Sequence, residues 1–276
     1  TQIVMRGVTS GSRQQNASVG TYIDDAPFGS STVYAIGALL TPDIDPSDLE
    51  RVEVLRGPQG TLYGSNTLGG LVKFVTRPPD ATAFSGRAQI DGSSLDHGGT
   101  GFGARVMLNA PLVTDKLAVR VDGFKRHDPG YIDDIGKGVK DANDARVDGG
   151  RAQLLWTPND RVSLRVSALF QNLDGDGLAN GGVDVDPRTL QPLYGPYTSK
   201  HPPGTGQFDL GYRMYAATLT ADLGWATLVS TTSYNHLDLD QNFDLTAAYG
   251  PILGPAFGLS NAGFSERTPI SQNKFT

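Results

Sequence analysis

Two rhythms of hydrophobic and polar positions divide the chain near Pro78-Pro79. Before that point the apolar stretches are short: Ile3-Val4-Met5, Val19–Ile23, Val52–Leu55 and Leu71–Val75. Each is rich in β-branched residues and bounded by Gly, Pro, Asp or Ser, which predicts short strands. A brief helical turn is expected at Pro46–Leu49, with Asp45 as its cap and Pro46 at its first position. Residues 1–79 therefore read as a small mixed α/β unit.

Beyond Pro79 the alternation becomes long and regular. Val162, Leu164, Val166, Ala168 and Phe170 alternate with Arg161, Ser163, Arg165, Ser167 and Gln171, with Leu169 as an apolar intruder on the polar side. Leu117, Val119 and Val121 alternate in the same way with Ala118, Arg120 and Asp122. Period two means strands with one apolar and one polar face. Strands are predicted near 83–94, 100–110, 116–127, 145–156, 161–172, 207–221 and 225–239, with an eighth starting near 270. Tight turns at Pro111–Asp115, Thr157–Asp160 and Asp222–Gly224 alternate with long polar segments at His127–Ala145, Asn172–Gly206 and Asp240–Pro269. Short turns on one rim and long loops on the other describe a membrane-spanning β-barrel meander. Phe124, Tyr131, Trp156, Phe170, Tyr212, Trp225 and Tyr234 are candidates for aromatic girdles. An eight-stranded barrel has its interior filled by its own side chains, so it cannot also hold residues 1–79. Only a barrel of about 22 strands carries a plugged lumen. The expectation is a mainly β chain: a plug, residues 1–79, followed by the first seven or eight strands of a large antiparallel transmembrane barrel, residues 80–276, cut from a longer protein.

The segment Asp48–Pro79, DLERVEVLRGPQGTLYGSNTLGGLVKFVTRPP, resembles the end of the plug domain of TonB-dependent outer-membrane receptors. Met5-Arg6-Gly7-Val8 resembles that family's first arginine–glycine element, and Val19–Pro27 its strand and following turn, with Asp25 where glycine is usual. Downstream the resemblance rests on the strand rhythm and the turn at Ala110–Lys116. Gly57, Gly60, Gly64, Gly69 and Gly70 mark backbone turns and close approaches that a Cβ would obstruct, and Pro58 belongs to the same turn. The resemblance implies that Tyr63, Ser65 and Asn66 face incoming substrate at the plug apex, together with Arg13, Gln14, Gln15 and Asn16. It also implies that Arg6 and Arg56 lock the plug to acidic residues of the barrel wall, with Glu50 and Glu53 as nearby alternative partners for Arg51 and Arg56.

Composition narrows the chemistry. A net charge of −6 speaks against a nucleic-acid partner. The absence of cysteine rules out thiolate zinc sites and cysteine nucleophiles. The 35 glycines and 17 prolines are too many for a helical bundle. No catalytic motif is present, so no enzyme is expected. Gly99–Ala104 reads as a strand glycine kink, Asp174–Gly177 as a solvated acidic loop, and His97, His127, His201 and His236 lack metal-ligand spacing. The resemblance implies energy-coupled uptake of a scarce nutrient, most often a ferric siderophore, across a Gram-negative outer membrane. Cobalamin, haem or an oligosaccharide are alternative cargoes. The implied partners are the metal chelate, outer-membrane lipid and a periplasm-spanning energy-coupling protein, reached through an N-terminal box not in this sequence. No cofactor is implied, since iron enters only within the chelate. The rival reading is a soluble β-rich binding or adhesion domain. The two differ in strand polarity: a sandwich turns apolar faces inward, whereas a barrel turns them to lipid and keeps Arg120, Arg161 and Arg165 in the lumen.

Overall fold

A computed structural model describes residues 5, 18–28, 43–64, 67–177, 182–186, 188–258 and 263–276. A four-stranded mixed sheet comprises β1 (Val19–Ile23), β2 (Ala26–Phe28), β3 (Leu49–Arg56) and β4 (Gly70–Thr76), in the order β2-β1-β4-β3. Strand β1 runs parallel to β4, and β3 runs antiparallel to it. The sheet therefore has two ends. Ile23, Leu49 and Thr76 lie at one, called here the root; Val19, Arg56 and Gly70 lie at the other, the apex. The expected turn before β3 is a short 3-10 helix, Pro46–Asp48, capped by the Asp45 carboxylate, which accepts from the Ser47 amide at 3.0 Å.

The rest of the chain forms one antiparallel sheet of eight strands in strict sequence order. These are β5 (Ser85–Ser94), β6 (Thr100–Val113), β7 (Leu117–Asp128), β9 (Ala145–Asn159), β10 (Val162–Gly175), β12 (Phe208–Asp222), β13 (Thr227–Asp244) and β14 (Ser265–Phe275). Between them, β8 (Asp133–Asp134) and β11 (Thr198–Ser199) form a small parallel pair that ties two of the long loops together. Strands β13 and β14 pair as far as Asp244↔Ser265, so the third polar segment is shorter than its composition suggests. A helix, α1 (Gly60–Tyr63), lies in the plug, and a second, α2 (Thr246–Ala256), lies in that third loop. The extension of the β13–β14 pair was not legible, because ladder hydrogen bonds join backbones whatever the side chains.

Along the strands, one face carries Val106, Leu108, Val121, Leu154 and Val166, all solvent-exposed. The opposite face carries Asn109, Arg120, Arg151 and Gln153, all buried. Apolar outward and polar inward is the polarity of a barrel, and the soluble-sandwich reading falls with it. Arg120 and Arg165 face the lumen as expected, but Arg161 occupies the β9–β10 turn.

Candidate functional site

The small sheet is seated on the wall mainly by carboxylates of its own and arginines of the wall. Asp48 is 3% exposed and accepts from Arg120 Nε at 2.9 and 3.1 Å, from Arg120 Nη2, and from Arg151 Nη2 at 2.5 Å. Arg151 also lies 2.8 Å from Asp122 Oδ1. Two acids and two guanidinium groups thus compensate one another, which is the condition for burying them. Asp45 accepts from Arg105 Nε at 2.8 Å, and Asp43 pairs with Arg126. Burial pushes the Asp48 and Asp45 carboxyls up. The hydrogen bonds and charges of Arg120 and Arg151 on Asp48, and of Ser47 and Arg105 on Asp45, outweigh it and hold both below the usual carboxylate range.

The root end adds a hydrogen-bond relay. The Thr76 amide and hydroxyl both donate to Asp24, at 2.9 and 2.7 Å, and the Gln153 amide of the wall lies 2.7 Å from that hydroxyl. Arg165 stands 3.6 Å from Asp24. Asp24 adopts φ +52°, a left-handed conformation that Asp tolerates better than most residues.

A second contact is apolar. Ile23 and Ala26 pack with Tyr212, Met214, Leu237 and Leu239 of β12 and β13, flanked by Ile44, Phe28 and Leu169. The Phe28 and Tyr212 rings are 4.5 Å apart, and the Tyr212 hydroxyl donates to Asn235 at 2.7 Å. This explains Leu169: it points into the lumen because the plug is there to cover it. It also corrects two girdle assignments. Tyr212, 4% exposed, belongs to this core, and Phe124 lines a small cavity beside Ile44, Asp45 and Leu169 on the luminal side. Trp156, Phe170, Trp225 and Tyr234 are exposed as girdle residues would be.

The apex loop is stabilised from within. Gly57 donates to Gly69 O at 3.0 Å, Gly69 to Ser18 O at 2.8 Å, and the buried Thr67 hydroxyl to Gly64 O at 2.6 Å. Gly70 has φ +138°, and a Cβ there would sit 2.3 Å from Leu55 O. Tyr63 is half-buried: its carbonyl accepts from the Tyr22 hydroxyl at 2.8 Å, and the two rings meet edge-on. Ser65, Asn66, Arg13, Gln14, Gln15, Asn16 and Arg6 lie outside the described residues. Arg56 is exposed at the apex end of β3 and makes no ion pair among the described residues. Glu53 and Glu50 both engage Arg51, at 2.7 and 2.9 Å, rather than the wall. The ion pairs seen between plug and wall run in the opposite sense to the expected lock, with acids on the plug and arginines on the barrel. Sequence reading gave Asp45 only as a helix cap and did not assign Asp43, Asp45 or Asp48 to the plug–wall contact. The available signal was three acids within one short segment, facing wall strands that carry Arg105, Arg120 and Arg151 at inward positions.

On the loop rim, Asp134 (2% exposed) gathers the amides of Gly136, Lys137 and His201 at 3.0–3.2 Å and the His201 Nδ1 at 2.9 Å. His127 pairs with Asp144, and His97 stacks on Tyr197. Among the described residues no group of three or more His, Asp or Glu side chains is arranged to hold a metal ion.

Residues 1–71 match the model of the TonB-dependent receptor plug domain. The pesticin receptor of Yersinia enterocolitica is 32% identical over 58% of this chain and 22% of its own length. The ferrioxamine B receptor of Salmonella typhimurium is 27% identical over 66% of the chain and 23% of its own length. The chain thus spans less than a quarter of these curated relatives. Among solved structures, the ferric yersiniabactin uptake receptor of Yersinia pestis superposes with a TM-score of 0.59 at 23% identity, covering 87% of this chain and 35% of that one. A plug sheet seated by buried ion pairs inside a wall that is apolar outward, with the family match over residues 1–71, leads to one assignment: this part of the chain is a TonB-dependent receptor plug domain.

Proposed function

We propose that the complete receptor takes up a ferric siderophore across the outer membrane of a Gram-negative bacterium, by energy-coupled rearrangement of the plug. The observation that carries this reading is the seat of the plug: Asp48 on Arg120 and Arg151, deep in the lumen and wholly non-covalent. A sheet held inside a wall by polar and apolar contacts, none of them covalent, closes the passage at rest and is releasable under load. The outward belt of Val106, Leu108, Val121, Leu154 and Val166 supports a lipid environment. The names of the pesticin, ferrioxamine B and hemin receptors support an iron chelate as cargo. Iron belongs to that cargo and is not a resident cofactor. Tyr63, with Ser65, Asn66, Arg13, Gln14, Gln15 and Asn16, are the proposed contacts at the apex, and the long loops supply the remaining polar groups. The energy-coupling protein acts through a segment preceding the plug.

The test is titration of the purified full-length receptor with ferrioxamine B, ferric yersiniabactin, ferric enterobactin, haemin and cobalamin. One ferric siderophore is expected to bind with a Kd below about 1 μM, equivalent to roughly 8 kcal/mol, and its iron-free form more weakly. Binding of only haemin or cobalamin, or of none of the five, overturns the siderophore assignment.

A further inference from the structure

We infer that Asp134 and His201 form a buried charge clasp between the loop after β7 and the loop after β10, and that the clasp loosens when the imidazole loses its charge. The backbone first brings the two loops together. Within the parallel pair of β8 and β11, Asp133 N donates to Tyr197 O and Ile135 N to Ser199 O, both at 2.9 Å. Gly136 lies so close to the second loop that a Cβ there would sit 2.2 Å from His201 O. Inside this seam stand the Asp134 carboxylate, 2% exposed, and His201, 6% exposed. Residues of this chain alone enclose both, so the clasp is complete without further strands.

Asp134 Oδ1 accepts from the amides of Gly136, Lys137 and His201, and its Oδ2 lies 2.9 Å from His201 Nδ1. Burial pushes this carboxyl up, but the hydrogen bonds of His201 and Lys137 outweigh burial and hold it below the usual carboxylate range. An ionised carboxylate only accepts, so Nδ1 carries a proton whether or not the ring is charged. The charge is decided at Nε2, which faces Asp184 Oδ1 at 3.6 Å. Protonated there, the ring is an imidazolium between two carboxylates. Deprotonated, it sets a lone pair against Asp184 and leaves only an uncharged donor on Asp134. Two other charges stand close by. Lys137 Nζ is 3.9 Å from Asp134 Oδ2 and donates to Asp176 O and Thr205 O, and the Lys200 ammonium lies over the Tyr194 ring. Histidine is the side chain that changes charge between about pH 5 and 8. The imidazolium's share of the clasp is therefore present in mild acid and lost as pH rises through that range. Loops held in one arrangement bind cargo without first being ordered. That purpose rests on the uptake reading, but the clasp does not.

Amide hydrogen exchange reads the clasp in the full-length receptor, reconstituted in lipid nanodiscs and without any chelate. Protection factors are compared, because they remove the intrinsic effect of pH on exchange and report local opening. Peptides spanning 131–140 and 195–206 are expected to be at least about fivefold better protected at about pH 5.5 than at about pH 8.5. A peptide spanning 213–220 in β12 is expected to change by less than about twofold. His201→Asn keeps a donor toward Asp134 but carries no charge, so its loops are expected to stay near the wild-type alkaline level at both pH values. Asp184→Asn removes the second acid and is expected to move the loosening to lower pH. Equal protection of the wild-type loops at both pH values overturns the inference, as does a wild-type pH dependence that persists in His201→Asn. Should His201→Asn not reach the membrane, Asp184→Asn decides, and an unshifted loosening overturns the inference. Failure of the chelate titration would leave this result standing, and failure here would leave the uptake reading standing.

Discussion

The plug touches the wall in two regions that use different physics. On β6, β7 and β9 the contact is ionic: Asp43, Asp45 and Asp48 against Arg126, Arg105, Arg120 and Arg151. On β12 and β13 it is apolar: Ile23 and Ala26 against Tyr212, Met214, Leu237 and Leu239. Apolar contact is non-directional and scales with area, so a small slide costs little. A buried ion pair is directional, and separating its partners leaves charge unpaired in a dry site. The apolar region gives adhesion. The ionic region gives position, and it alone responds to pH and to loss of a single charge.

The largest expected effect breaks the ionic side. Asp48→Ala leaves Arg120 and Arg151 buried without a carboxylate between them, at a cost of about 3–5 kcal/mol. In the full-length receptor this appears as protease-sensitive plug with an intact barrel band. Leu239→Ala, fully inside the apolar region, costs about 2–5 kcal/mol through lost burial and a cavity. It should lower the thermal midpoint without changing its pH dependence.

Acid sharpens the contrast. Because Asp48 is held low by Arg120 and Arg151, and Asp45 by the Ser47 hydrogen bonds and Arg105, their contribution is complete above the unfolded carboxylate value of about 3.9. It is lost as pH falls below that, through their depressed folded values. Protease protection of the plug should therefore hold from neutral pH to about 4 and fail below it. In Asp45→Asn that acid sensitivity should shrink, and in Leu239→Ala it should persist. Tyr212→Phe removes one hydrogen bond to Asn235 and keeps the ring, so about 1 kcal/mol is expected. At the small end, Arg51→Ala breaks only the exposed pairs with Glu50 and Glu53, and no measurable change in plug protection is expected.

Much of the architecture was legible in the chain. The alternation in Val162–Gln171 placed β10 and told its outer face from its inner one, and Asp45-Pro46 announced the turn before β3. The site was less legible. Arg56 stood out because it follows an apolar strand and precedes glycine, yet the ion pairs seen between plug and wall run from plug acids to wall arginines. Nothing local distinguishes the Asp48 carboxylate from that of a capping acid such as Asp45, although Asp48 meets two guanidinium groups more than 70 residues away. Leu169 and Tyr212 were similarly opaque, because their surroundings are supplied by the plug.

By itself, then, the sequence determined strand positions, the two-faced polarity of the wall, the glycine-dependent apex turns and the absence of cysteine chemistry. All of these follow from local backbone preference and short-period patterning. Only the tertiary structure decided which acid meets which arginine, and which inward face is ionic and which apolar. Pairings of that kind depend on register between segments far apart in the chain, and period-two alternation constrains which face a residue occupies but not which neighbour it finds there.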